Sequence, residues 1–124
     1  MKNLVITTLI LFYSGFVQAQ QEDIVRAHDA IEHAGEFAMV CGVIASARYL
    51  KEVKGAPTYL NFDKPYPDQE FSAIIFGKNR KNFSPDPESL TGYKACVYGK
   101  VRVYRGKAQI ELVKADQLSV KPPK

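Results

Sequence analysis

The sequence predicts an all-β fold with a small helical contribution: a five-stranded Greek-key barrel preceded by a short N-terminal helix. Three observations carry this expectation. From Glu36 onward apolar residues recur at every second position, the strand period. The recurrence breaks into five runs divided by turn-forming residues. The third and fourth runs are joined by "KNRKNFSPDPESLTG", far longer than the other connections. Five strands are too few for a sandwich, which takes about seven, and suit a small Greek-key barrel.

The elements follow in chain order. The 124 residues carry a formal charge of +4. They open with "MKNLVITTLILFYSGFVQAQ": one lysine, an apolar run from Leu4 to Val17, then small residues at Val17 and Ala19. That is the pattern of a signal peptide over residues 1–19. The run is shorter than the roughly 20 residues that span a bilayer, so no stable membrane insertion is expected after cleavage. No cysteine stands directly after the run to carry a lipid. A periplasmic or secreted location is expected. Residues 20–35 carry Ile24, Ala27, Ala30 and Ile31 at helical spacing, with Gly35 as a stop. Residues 36–118 hold the strands, in "EFAMVCGVIASARY", "PTYLNF", "QEFSAIIFG", "YKACVYGKVRVY" and "KAQIELV". Between them lie "KEVKGA", "DKPYPD", the long connection and a tight "RG". Gly42 sits where the long first strand of a barrel must bend. Residues 119–124, ending in "KPPK", read as a disordered tail.

Alternation assigns faces. Val97, Gly99, Val101 and Val103 share the inner face of the fourth strand, and Val40 faces inward from the first. Leu60 and Phe62 point inward from the second, leaving Tyr59, Asn61 and Asp63 outside. On the third strand Phe71, Ala73 and Ile75 are assigned to the outer face. Cys41 and Cys96 both fall outside, on strands that neighbour each other in this barrel. In an exported chain a disulfide between them is favoured over free thiols, and it would close a 55-residue loop worth about 4 kcal/mol.

Residues 36 to about 113 resemble the oligonucleotide/oligosaccharide-binding (OB) fold, in particular the group related to the anticodon-binding domains of class II tRNA synthetases. The marks are "VCGVI", "PTYLNFD", "FSAIIFG", "VYGKVRVY" and "AQIEL", in that order and spacing. The chain is also similar to small exported bacterial proteins that pair "GE-x-x-x-VCG" with "LNFDKPYPDQEF". The synthetase-like pattern ends its second strand on Arg-Asp, whereas this chain has Asp63 followed by Lys64.

The resemblance implies a ligand surface on the second and third strands and the adjoining loops. Tyr59 matches the position whose ring stacks on a base; a strand tyrosine can equally serve packing alone. Asn61 and Tyr66 lie beside it. Arg48, Lys51, Lys54, Lys64, Lys78, Arg80, Arg105 and Lys107 could form a cationic rim around single-stranded DNA or RNA, or could be ordinary solvated loop residues. The competing reading is an envelope-maintenance or interaction module for an exported protein partner, met through Phe71 and Ile75.

No catalytic constellation is expected, and the chain reads as a binding module rather than an enzyme. His28 and His33, five apart, diverge by about 140° on a helix and do not share a face for a metal. There is no Gly-x-Ser-x-Gly elbow. Neither a metal nor a cofactor is expected.

Overall fold

Strands with one apolar face must bury it, and here five of them do so by closing on themselves. The computed structural model describes Gly15 and residues 23–123. The rest of the expected signal peptide, residues 20–22 of the expected helix and Lys124 lie outside the described residues. Seven strands follow in order: β1 (Ile24–Arg26), β2 (Phe37–Tyr49), β3 (Thr58–Phe62), β4 (Phe71–Ile75), β5 (Lys94–Tyr104), β6 (Lys107–Glu111) and β7 (Leu118–Lys121). Their neighbour order is β1-β2-β3-β4-β6-β5-β7, and a further β2–β5 pairing closes the middle five into a barrel. Within it only β4 and β6 run parallel. These five are the expected strands, with the expected long connection between β4 and β5.

β2 serves two partners. Its first half pairs with β5, from Phe37 opposite Lys100 to Val43 opposite Lys94, and its second half pairs with β3. The register slips between Ile44 and Ser46, so the bulge falls near Ala45 rather than at Gly42. Gly42 is needed for another reason. A Cβ there would lie 2.6 Å from Asp63 Oδ1. That carboxylate accepts the Val43 N–H at 2.9 Å and ties the end of β3 to β2.

The core joins Val40, Ile44, Leu60, Phe62, Val97, Val101 and Ile110, all buried. The rings of Phe62 and Phe71 meet edge to face at 5.1 Å. Leu90, on a short 3-10 turn (Pro87–Leu90) in the long connection, completes the packing together with Ala27 and Ala30. Cys41 stands opposite Cys96 in the β2–β5 ladder, and the two are joined by a disulfide.

The structure departs from expectation in four places. Phe71, Ala73 and Ile75 face the core and are fully buried, so the outer face of β4 belongs to Ser72 and Ile74. All five residues of β4 are buried, and such a strand has no polar face to betray its register. Val103 is exposed, because β5 extends beyond the core at its end. The helix is a 3-10 helix at Ala27–His33, preceded by β1, which pairs in parallel with Met39–Cys41. That pairing covers the edge of β2 that β3 leaves bare, satisfying backbone groups that would otherwise stay open. A 3-10 helix aligns residues three apart, so Ala27 and Ala30 are buried while Ile31 faces out; Ile24 belongs to β1, where only Val25 points inward, and is 64% exposed. Of residues 119–124, expected as a disordered tail, 119–121 are ordered: β7 pairs with Lys94–Val97, and Leu118 and Val120 pack against the core. No helix among the described residues is long and apolar enough to cross a membrane.

Candidate functional site

The outer faces of β3, β4, β6 and β5 form the floor of a groove. Odd positions of β3 send Tyr59 and Asn61 outward, and ladder register sets the neighbours of each. Asn61 lies opposite Ser72, Ser72 beside Gln109, and Gln109 opposite Arg102. The turn between β5 and β6 has positive φ at both Arg105 (50°) and Gly106 (78°), the primed-turn geometry of a tight hairpin. It holds Tyr104, Arg105 and Lys107 at one wall.

Two cavities share this floor. One of about 500 Å³ is lined by Arg48, Tyr59, Asn61, Tyr66, Gln69, Ser72, Tyr104, Arg105, Lys107 and Gln109, with Leu50, Val53 and Pro67. The other, of about 420 Å³, adds Lys54, Pro57, Ile74, Phe76, Arg102 and Val103. Tyr59, Tyr104, Gln109 and Val53 line both, so the two are one continuous groove. Its lining carries five cationic side chains, Arg48, Lys54, Arg102, Arg105 and Lys107, and no carboxylate. Tyr59 is half-buried there. That burial raises its phenol above the ordinary value of 10.0, Tyr104 adds to the rise and Arg105 opposes it.

A hydrogen-bonded floor fixes the shape. Asn61 Nδ2 donates to Ser46 Oγ at 3.0 Å, and Ser72 Oγ donates to Asn61 Oδ1 at 2.7 Å. Ser46 Oγ also accepts the Tyr66 N–H at 3.2 Å, so the loop bearing the 66% exposed Tyr66 ring is pinned to the same network. Lys107 Nζ donates to the Pro67 carbonyl and lies 3.5 Å from Gln69 Oε1, closing that loop against the β5–β6 hairpin.

The structure thus brings together Arg48, Lys54, Tyr59, Asn61, Tyr66, Arg105 and Lys107 of the expected site residues. Lys51, Lys64, Lys78 and Arg80 stand outside its lining, and Asn61 plays another part than expected. Asn61 is 2% exposed and its amide is spent at both ends, so it builds the floor instead of offering a free amide. Lys51 and Lys78 line an adjoining depression of about 690 Å³ that meets the groove at Val53 and Phe76. Arg80 is consumed internally: its guanidinium lies 3.6 Å over the Tyr49 ring and donates to Thr58 Oγ1 and, at 2.9 Å, to Glu88 Oε1. Tyr49 and Thr58 face each other across β2 and β3, a pairing that sequence distance hides.

Lys64 is likewise engaged, its Nζ 2.7 Å from Glu70 Oε1, while His28 Nδ1 lies 2.7 Å from Glu70 Oε2. The Lys64 ammonium, and after it His28, holds the Glu70 carboxyl below its ordinary 4.5, and Glu70 raises Lys64 above 10.5. A lowered carboxyl favours the folded state above pH 4.5, and that contribution is lost as pH falls through the folded-state value. All three groups are solvent-exposed, so the effect is local. In an NMR titration the Glu70 carboxyl should respond below the range of ordinary glutamates, and Lys64→Ala should move it upward. An unmoved midpoint would show that Lys64 does not hold it.

Sequence reasoning missed Ser72, Ile74, Tyr104 and Gln109. Ser72 is the only polar residue in "FSAII", and that was the available signal for the outward face.

No protein-family model matches the sequence, and no curated protein matches it significantly. Solved structures do share the fold. A chain described as an aspartyl-tRNA synthetase from Leishmania major Friedlin aligns with 90% of this chain at 8% identity and a TM-score of 0.52. The aspartyl-tRNA synthetase of Entamoeba histolytica aligns with 82% at 9% identity, also with a TM-score of 0.52. The asparaginyl-tRNA synthetase of the same organism, solved with asparaginyl-adenylate, aligns with 83% at 16% identity and a TM-score of 0.51. This chain spans 23%, 22% and 24% of those proteins, so the likeness is to one part of each. At such identities it is a likeness of fold.

Proposed function

We propose that this OB barrel is a non-enzymatic module that holds single-stranded nucleic acid, or a related polyanion bearing bases, in the groove across β3, β4, β6 and β5. One observation carries the reading: three tyrosines and five cations line one continuous groove that contains no carboxylate. Bases stack on aromatic faces, and cations placed beside them meet the phosphates. Tyr59, at the centre and common to both cavities, is the stacking platform. Arg48, Lys54, Arg102 and Arg105 follow the backbone. The fold supports the reading by analogy, since the solved structures that share it are named as tRNA synthetases. The leader-like residues 1–19 and the Cys41–Cys96 bridge support an exported protein working in an oxidising compartment.

Titration of fluorescent single-stranded DNA and RNA at two salt concentrations tests this. Affinity should fall steeply with salt, log K changing by about −0.7 per log unit for each phosphate neutralised. Tyr59→Ala should weaken binding by about 1–3 kcal/mol. Unchanged affinity in that variant would remove Tyr59 from the site.

A second reading, an exported protein partner, is favoured by the far side of the barrel. There Phe37 is 69% exposed and stacks on Tyr98 at 6.2 Å, next to Ile24 and Met39. Salt-insensitive association through that face, without nucleic-acid binding, would establish it in place of the first.

A further inference from the structure

We propose that the groove selects bases whose exposed edge carries a carbonyl oxygen, thymine or uracil over cytosine, and that Gln109 sets this preference; the proposal rests on the groove being a single-strand site. The register places Asn61, Ser72, Gln109 and Arg102 in one line across four strands, all on the outer face. The first two satisfy each other and Ser46. Gln109 is different. Its side-chain amide makes no hydrogen bond among the described residues, and it lines both cavities, as do Tyr59 and Tyr104. A base stacked on either ring brings its polar edge to that amide.

The surroundings decide which end of the amide the ligand meets. Arg102 directly opposite, and Lys107 two residues earlier on the same strand, supply donors and no acceptors. The amide oxygen is best turned toward these cations, which leaves the NH₂ group facing the groove. The lining adds further donors at Arg48 and Arg105 and has no carboxylate, while Asn61 Oδ1 is already occupied by Ser72. A cytosine amino group at Gln109 would meet its NH₂ group, a donor against a donor. The O4 atom of thymine or uracil would accept from them. A desolvated polar edge left without a partner costs more than a satisfied one gains, so the mismatch carries the discrimination.

Thymine and cytosine have rings of the same size, so comparing them holds stacking nearly constant and isolates the edge. The full chain, with its disulfide formed, is titrated with labelled dT and dC decamers and with the corresponding uridine and cytidine decamers. Thymine and uracil oligomers should bind about fivefold more tightly than cytosine ones, the value of one hydrogen bond. Gln109→Leu should bring the ratio near one. Gln109→Glu should reverse it, because a carboxylate accepts from the cytosine N4 amino group. A purely structural role for Gln109 would shift all four affinities together. Equal wild-type affinities for dT and dC overturn the preference and leave the nucleic-acid reading standing. A ratio unchanged in Gln109→Leu overturns the role of Gln109. Failure of all four oligomers to bind overturns the nucleic-acid reading and the preference with it.

Discussion

Replacing Cys41 and Cys96 together by alanine should lower the free energy of unfolding by about 4 kcal/mol, the chain-entropy value for a loop of 55 residues. A small domain has about 5–15 kcal/mol in total, so the variant should stand near the edge of folding at physiological temperature. The position of the bridge explains the size of the effect. β2 and β5 are the pair that closes the sheet into a barrel, and the disulfide lies within their ladder. The unbridged chain must find this long-range pairing against its full loop entropy. Urea denaturation of the oxidised protein and the double variant reads the difference. A loss below about 1 kcal/mol would show that the bridge only decorates a ladder that is stable without it.

Phe62→Ala should cost about 3–5 kcal/mol, the range for deleting a buried aromatic ring. Phe62 is buried in the barrel centre, with its ring edge-on to Phe71, and neighbouring strands are pinned by the ladders on either side. The cavity left behind can collapse only partly. The same strand offers the control. Tyr59 is three residues away on the opposite face, so Tyr59→Ala should weaken oligonucleotide binding with little loss of stability, and Phe62→Ala should do the reverse. A Phe62→Ala protein that melts within a few degrees of the parent would mean that the core repacks around the gap.

The fold was legible because five alternating segments and one long connection leave few closed arrangements, and the two cysteines fell on the same outer face of strands expected to be neighbours. The groove was half legible. Tyr59 and the inward pair Leu60 and Phe62 follow from period two in a strand with one polar face. β4 defeats the same reasoning, since burial on both sides leaves only Ser72 to mark the outside. Arg80 looked like its neighbours in a basic stretch, and its capture by Tyr49, Thr58 and Glu88 depends on contacts between distant elements. Asn61 was placed on the correct face, but its partners Ser46 and Ser72 come from two other strands. β1 escaped notice because three residues with one buried side chain match a helical spacing as well as an extended one.

The short outer strands bear on how this protein behaves in company. β1 and β7 occupy the stretches of β2 and β5 that the barrel ladder leaves vacant, and they are only three and four residues long. β7 ends on Lys121 and is followed by two prolines, which offer no N–H to an incoming chain. Any addition to the sheet would therefore begin on a short, charged, donor-poor margin. Trimming the chain before Leu118 would strip that guard and open Lys94–Val97 to capture by other molecules, making the shortened protein prone to self-association as its concentration rises.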